Sequence, residues 1–403
     1  MVTAEKLISS KADLIGIASF VPSSSKRYTR IYDTVIVGGG PAGAYLGYAL
    51  ASQGKKPVIL DQPSTGDDPF FLTVNQETIN KYPFIKQAAL KSQPVNRLHL
   101  ISPSGHKTIF DDQYNDRFTS ISRSQIHRLL IDMAIDNGAI YVPERVTSIY
   151  REQGLWKIRT PKREFLAHIL VGADGVHSIV RKTVLNSFQK EELAISMGYY
   201  ARGFLEKWSL MKFFNHRNGF LWINGTKDHY IIGITDTLSH SKGIKNDLDD
   251  FLSSECKELH PYRMWSALIP QASSPDFFKQ PCTGNNWILI GNAAGHVNPV
   301  TGRGVLHALW SADLASQAIL ASDLRLYDSL WKEEYGKEFM RISNPQRRFG
   351  KPALLDNIIR YARRSKSLSN IIFDLVNGDY KGTHPGKRLL FEVPRILLEA
   401  AVT

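Results

Sequence analysis

The chain has 403 residues, 43% of them hydrophobic, enough to bury two cores or one large composite core. Its 50 Lys and Arg against 38 Asp and Glu give a formal charge of +12, which suits phosphorylated substrates or an anionic membrane surface, but no clustered nucleic-acid motif goes with it, so nucleic acid is not an expected partner. Two cysteines, Cys256 and Cys282, lack metal spacing and form no disulfide framework, and no apolar run reaches the roughly 18 residues of a membrane span, so a reducing cytoplasm is the expected compartment and no metal site is assigned.

Residues 1–31 read as a flexible extension. Its apolar stretch 14–21 is short, Ser23-Ser24-Ser25-Lys26-Arg27 is linker-like, and no Ala-x-Ala cleavage site follows. A strand is then predicted over 32–37. It runs into Gly38-Gly39-Gly40-Pro41-Ala42-Gly43, a helix over 44–51, and a strand over 57–60 that ends in Asp61. This βαβ pattern is a dinucleotide fingerprint. Gly38 allows the tight turn, Gly40 lets backbone approach a pyrophosphate, and Gly43 lets helix and strand pack closely. The helix N-terminus directs unpaired N–H groups at phosphate, and Asp61 can accept both hydroxyls of an adenosine ribose.

A polar loop is predicted over 62–69, and alternating strands over 96–110 around the turn Pro103-Ser104-Gly105. Ile121-Ser122-Arg123 leads into a helix over 125–137 whose apolar face is Ile126, Leu129, Leu130 and Met133, and which Gly138 ends. Strands follow at 140–142, 146–150, 156–159 and 165–171. The stretches 199–204, 210–214, 220–223 and 230–234 read as an antiparallel sheet, 287–290 as a buried parallel strand, 304–321 as a helix, and the chain from 326 onward as mostly helical.

Two further constellations carry chemistry. Gly172-Ala173-Asp174-Gly175 follows a hydrophobic strand and would bring Asp174 near the first phosphate-binding turn, with Arg181 close behind. Gly291-Asn292-Ala293-Ala294-Gly295-His296 follows another strand. After it, Asn298-Pro299-Val300-Thr301-Gly302-Arg303-Gly304-Val305 forms a loop that opens a helix, a place suited to negative charge.

In this order, the three sites resemble the FAD-dependent oxidoreductases of the para-hydroxybenzoate hydroxylase fold, and within them the geranylgeranyl reductase family, over roughly residues 32–400. The resemblance implies an α/β fold. A three-layer, Rossmann-like FAD-binding domain would be assembled from 32–75, 118–183 and 275–325. An inserted antiparallel substrate-binding sheet would come from 76–117 and 184–274, and 326–403 would be a helical C-terminal part. It implies non-covalent FAD held by Gly38, Gly40, Pro41, Ala42, Gly43, Asp61, Arg123, Asp174, Gly291, Asn292, Gly302, Gly304 and Val305. Asn292 stands where the family has aspartate. Phe220 and Trp222 keep the aromatic spacing of the family's substrate sheet without its Phe-Pro, and the Arg-Cys-Gly triplet of archaeal members is absent.

The leading expectation is reduction of a prenyl or isoprenoid chain by hydride from the reduced flavin, with no acidic side chain assigned to the accompanying proton. Oxygenation through a flavin C4a-hydroperoxide is the close alternative, and a flavin-binding partner without catalysis is a third. Halogenation ranks lower, because the Trp-x-Trp-x-Ile-Pro signature is missing. No second dinucleotide fingerprint exists, so NAD(P)H and ferredoxin both stand as electron donors. The catalytic candidates are His296, Trp222 and Phe220, each with a structural reading beside it: a loop-junction histidine and sheet core. The substrate would be an apolar small molecule or lipid in a long, largely apolar pocket. The basic run 360–366 and the tail Lys387-Arg388-Leu389-Leu390-Phe391 raise peripheral membrane contact.

Overall fold

The computed structural model describes residues 30–62, 71–88, 93–94, 97–111, 118–203, 208–226, 228–272, 274–299, 301–343, 352–362, 364–377, 392–393, 395–396 and 399. The expected extension up to residue 29, most of the loop 62–69, Val300, Arg363 and the tail 387–391 lie outside the described residues. The chain divides after residue 30, and the unit Ile31–Thr403 carries the sheets.

The strand Ile31–Val37 is central to an eight-stranded sheet. It pairs in parallel with Val58–Leu60 on one side and Glu164–Gly172 on the other. Ile140–Val142 extends the first side and Trp287–Leu289 the second, both in parallel. Val35, Ile36, Val58, Ile59, Leu170, Val171, Ile288 and Leu289 are all fully buried, as strands covered on both faces require. A hairpin of Ser148–Glu152 and Leu155–Arg159 branches antiparallel from Glu164–Gly172.

The helix Pro41–Ala51 packs against two others, Arg123–Asp136 and Val305–Leu320. It starts three residues earlier than its apolar pattern suggests, because proline is compatible with the first helical turn. Arg123–Asp136 is capped by Ser122, whose hydroxyl accepts from the Gln125 N–H at 3.4 Å, and stops before Gly138 at φ +103°.

A second sheet has seven strands in the order His260–Pro270, Leu193–Arg202, Tyr230–Thr237, Phe220–Gly225, Trp208–Phe213, Arg97–Ile101 and Lys107–Asp111. All pairs are antiparallel except Trp208–Phe213 with Arg97–Ile101. Its two faces have different covers. One carries Leu210, Leu221, Ile223, Ile232 and Ile234 against the helix Ile244–Glu255. The other carries Leu98, Leu100, Met211, Phe213 and Phe220 against Ile359, Ala362, Leu368 and Ile372 of the helices Pro352–Ala362 and Lys366–Asn377. The Thr108 hydroxyl donates to the Ile359 carbonyl at 2.6 Å and the Ser104 N–H to Asp356 at 2.8 Å, which ties that roof to the sheet.

Two elements here are missing from the sequence reading above, the first although its apolar spacing is helical. Ile244–Glu255 buries Ile244, Leu248, Phe251 and Leu252 at helical spacing. His260–Pro270 holds prolines 261 and 270 and is mostly exposed, so it lacks strand alternation. It is an edge strand, where proline and solvent-facing side chains are tolerated.

Candidate functional site

The glycine turn joins the strand Ile31–Val37 to the helix Pro41–Ala51. Gly38 has φ +101°, a conformation that disfavours any side chain. A Cβ on Gly43 would fall inside the Gly38 carbonyl oxygen, so helix and turn touch backbone to backbone. Gly40 caps the helix, and a Cβ there would meet nothing within 4 Å, so the approach to the helix N-terminus is open. Pro41 and Ala42 form the first turn.

Asp61 follows Val58–Leu60 and stands against this turn: a Cβ on Gly39 would lie 2.6 Å from its Oδ2. Two side chains that the sequence pattern does not single out flank the same oxygen. The Tyr141 hydroxyl donates to it at 3.4 Å, and His127 Nε2 lies 3.5 Å away. Burial, with the Asp61 charge second, pushes the Tyr141 phenol up to about 12. The available signal for His127 is its place one helical turn beyond Arg123, which is itself the exposed first residue of Arg123–Asp136.

The second motif lies directly on the first. A Cβ on Gly38 would collide with the Ala173 carbonyl and come 2.7 Å from the Asp174 Cα. The Asp174 carboxylate turns the other way. It accepts from the Ser178 hydroxyl and from the N–H groups of Ile179 at 2.7 Å and Val180 at 3.4 Å, capping the short helix Ile179–Val184. It is therefore the backbone of this turn, and not the carboxylate, that reaches the glycine loop. Burial raises the Asp174 pKa, and the capping bonds oppose that rise. Arg181 is buried over the Phe188 ring at 3.9 Å. It donates to the Ala293 carbonyl at 3.3 Å and to Gln280 at 2.7 Å, joining the second motif to the third.

The third motif completes the ring of contacts. A Cβ on Gly291 would lie 3.0 Å from Ala42 Cβ, and one on Gly304 would lie 2.9 Å from Asn292 Oδ1. Buried Asn298 pins the loop: its Oδ1 accepts from the Thr301 N–H at 2.9 Å, its carbonyl from the Gly302 N–H, and its N–H donates to the Arg303 carbonyl, both at 3.0 Å. Gly302 turns at φ +70°, Gly304 caps, and Val305 opens the 16-residue helix Val305–Leu320. That N-terminus carries partial positive charge at the loop.

The candidate catalytic side chains separate. His296 is buried in the core, stacked on Trp331 at 4.2 Å. Its Nδ1 meets the Tyr327 hydroxyl at 3.1 Å and its Nε2 the Cys282 sulfur at 3.6 Å. Burial holds it well below the ordinary histidine range, and it stays neutral. It lines a different cleft from the one at the Asn298 loop. Burial also pushes the Cys282 thiol up to about 12, so this pair is no activated nucleophile.

Phe220 and Trp222 do share a sheet face. Phe220 packs on Phe213 at 6.1 Å, and the Trp222 ring lies across Gly233, where a Cβ would come 2.5 Å from it, beside Trp265 at 5.7 Å. Phe220 also lines a small open cleft with Ala194, Thr235, Ile269, Gln271, Asn298 and Thr301. The lining mixes polar and apolar groups, unlike the long apolar pocket expected from an alkene substrate.

Residues 31–309 match the family described as FAD binding domain. An uncharacterised protein of Methanosarcina barkeri is 27% identical over 313 residues, 72% of this chain and 75% of that protein. A digeranylgeranylglycerophospholipid reductase of Methanococcus vannielii is 25% identical over 342 residues, 77% of this chain and 84% of that protein. A geranylgeranyl bacteriochlorophyll reductase-like protein of Thermoplasma acidophilum shares the fold at a TM-score of 0.73, with 18% identity over 92% of this chain and 98% of that one. The flavin-dependent brominase Bmp2 does so at 0.66, with 16% identity over 91% and 100%.

Proposed function

The chain belongs to the FAD binding domain family, and from that premise we propose that this FAD-dependent oxidoreductase reduces double bonds of a prenyl chain. The observation that carries the proposal is the double role of Phe220. It lines the cleft beside the Asn298–Gly304 loop, and it belongs to the apolar cluster beneath Pro352–Ala362. An apolar chain in the cleft would thus rest on Phe220, one ring of that packed apolar cluster. Relatives named digeranylgeranylglycerophospholipid reductase agree with this reading.

The residues present fit FAD. The open approach at Gly40 and the helix N-terminus behind it suit a pyrophosphate, with Gly38, Pro41, Ala42 and Gly43 setting the distance. Asp61 would accept the adenosine ribose hydroxyls, and Arg123 would contact the cofactor from the edge of its helix. The Asp174 turn would support the glycine loop from behind, and Gly291 and Asn292 would hold the ribityl chain. Gly302, Gly304 and Val305 would present the helix N-terminus to the ring edge, steadying negative charge there. Reduced FAD, when bound, supplies the hydride. The chain's own work would be to hold the alkene against the ring edge between Phe220, Ile269 and the Asn298 loop. With no second nucleotide fingerprint in the sequence, NAD(P)H and ferredoxin both stand as electron donors.

The test is anaerobic incubation of dithionite-reduced protein with a geranylgeranyl lipid. A product heavier by two hydrogens, without oxygen, supports reduction. The polar part of the cleft favours oxygenation as the second reading. An oxygen-containing product that forms only with air and reductant would establish that one.

A further inference from the structure

The Asp61 carboxylate is held by three elements other than its own strand. Its main-chain N–H donates to the Val142 carbonyl at 3.1 Å, which ties the end of Val58–Leu60 to the end of Ile140–Val142. One residue back on that neighbouring strand, the Tyr141 hydroxyl donates to Asp61 Oδ2 at 3.4 Å. The helix Arg123–Asp136 brings His127 Nε2 to 3.5 Å from the same oxygen, and Gly39 of the glycine turn closes on it from the third side. The Tyr141 phenol keeps its proton, since burial and the Asp61 charge push it up to about 12, so it remains a donor at neutral pH. His127 Nε2 is sealed from solvent and faces the carboxylate. The Asp61 side chain itself keeps 15% of its surface exposed, so the group held in place is still open to a ligand.

Contacts of 3.4 and 3.5 Å at a half-exposed carboxylate add little to the stability of the fold. Their effect is on orientation. A side chain that is free to rotate loses that freedom when a ligand fixes it, and one already fixed by its neighbours does not. We infer that His127 and Tyr141 are positioning residues for the cofactor, which hold the Asp61 carboxylate in the orientation that meets the adenosine ribose of FAD. They act through Asp61 and touch no part of FAD themselves. This rests on the placement of the ribose at Asp61 proposed above. Gly39 has a complementary part: with no side chain there, the turn lets the carboxylate lie against it.

The experiment is a double-mutant cycle read by titrating apoprotein with FAD and following the quenching of flavin fluorescence. Tyr141→Phe removes only the hydroxyl, and His127→Leu removes the ring nitrogens while keeping an apolar body. Each should weaken FAD about threefold to tenfold, with the thermal midpoint of the apoprotein unchanged. His127→Gln, which carries an N–H near the place of Nε2, should recover most of the affinity. In an Asp61→Ala background both substitutions should have no further effect, because the group they position is gone. Losses that repeat in full in that background overturn the inference, as do unchanged FAD affinities of the two single variants or a fall in the apoprotein midpoint that accounts for the loss. Asp61→Ala by itself tests the reading beneath it. If that variant binds FAD as the wild type does, the ribose lies elsewhere and the positioning role falls with it. If it binds weakly while Tyr141→Phe and His127→Leu bind normally, the ribose stays at Asp61 and only the positioning role is lost.

Discussion

Asp61 and Gly39 stand in direct apposition: a Cβ on Gly39 would lie 2.6 Å from the Asp61 Oδ2. The acid at the end of one strand is thus held beside the turn at the end of its neighbour, where the two halves of the nucleotide fingerprint must meet. FAD should be released intact by heat or acid. Asp61→Ala should remove about 1.5–3 kcal/mol of charge-assisted hydrogen bonding, a loss of tenfold or more in FAD affinity. Titration of the apoprotein with FAD measures it, and an unchanged dissociation constant would put the ribose elsewhere.

Gly43 leaves no room for a methyl against the Gly38 carbonyl. Gly43→Ala should push the helix Pro41–Ala51 off the turn. It should cost about 1–3 kcal/mol, as overpacking does, and lower the FAD content. Gly54→Ala is not an equivalent control, because Gly54 sits at φ +75°; Gly40→Ala, with open space around it, is the better one. It should keep the urea midpoint while weakening FAD, since the added methyl enters the phosphate approach. Matching midpoints for Gly43→Ala and the wild type would refute the tight contact.

Two buried histidines should make the fold acid-sensitive. Burial lowers His307 to about 3 and His296 well below its ordinary range, so both are neutral in the folded chain. Unfolded, they titrate near about 6.5. As pH falls from about 6.5 toward 3, the unfolded chain binds protons that the folded chain refuses. Stability therefore declines across that window, by up to about 1.4 kcal/mol per pH unit for each histidine. Urea unfolding at a series of pH values should give this slope, and His307→Leu should reduce it. A flat profile between about pH 6.5 and 4.5 would mean that the imidazoles reach water.

The roof helix Pro352–Ala362 exposes Leu354 and Tyr361 beside Arg360, with Arg364 just beyond. We expect this face to meet anionic lipid, each basic side chain adding about 1 kcal/mol near the surface. Co-sedimentation with phosphatidylserine vesicles should fall with salt and with Arg360→Glu. Binding that ignores both would assign the basic run to ordinary solvated surface. No described helix is long and apolar enough to cross a membrane.

The fold class, the nucleotide fingerprint and the order of the three motifs are legible along the chain because each is a local event. A strand that is buried on both faces reads as a continuous apolar run, as over Val35–Val37, and a glycine at positive φ leaves its own mark. The helix Ile244–Glu255 and the edge strand His260–Pro270 escape prediction for opposite reasons. The helix carries a usable apolar spacing among many polar residues, whereas the strand is exposed and proline-bearing, so it has no alternation to read.

What only the tertiary structure decided is where side chains point once distant segments meet. Asp174 and His296 look alike in sequence, each a polar residue beside a small-residue turn. Packing turns the first onto the N-terminus of its own helix and seals the second against Trp331 and Tyr327. Tyr141 and His127 reach Asp61 from other elements, and Gln271, at the end of an edge strand, comes to line one cleft with Asn298. Burial and hydrogen-bond satisfaction are properties of the assembled chain, and segments far apart in sequence supply the partners that fix them.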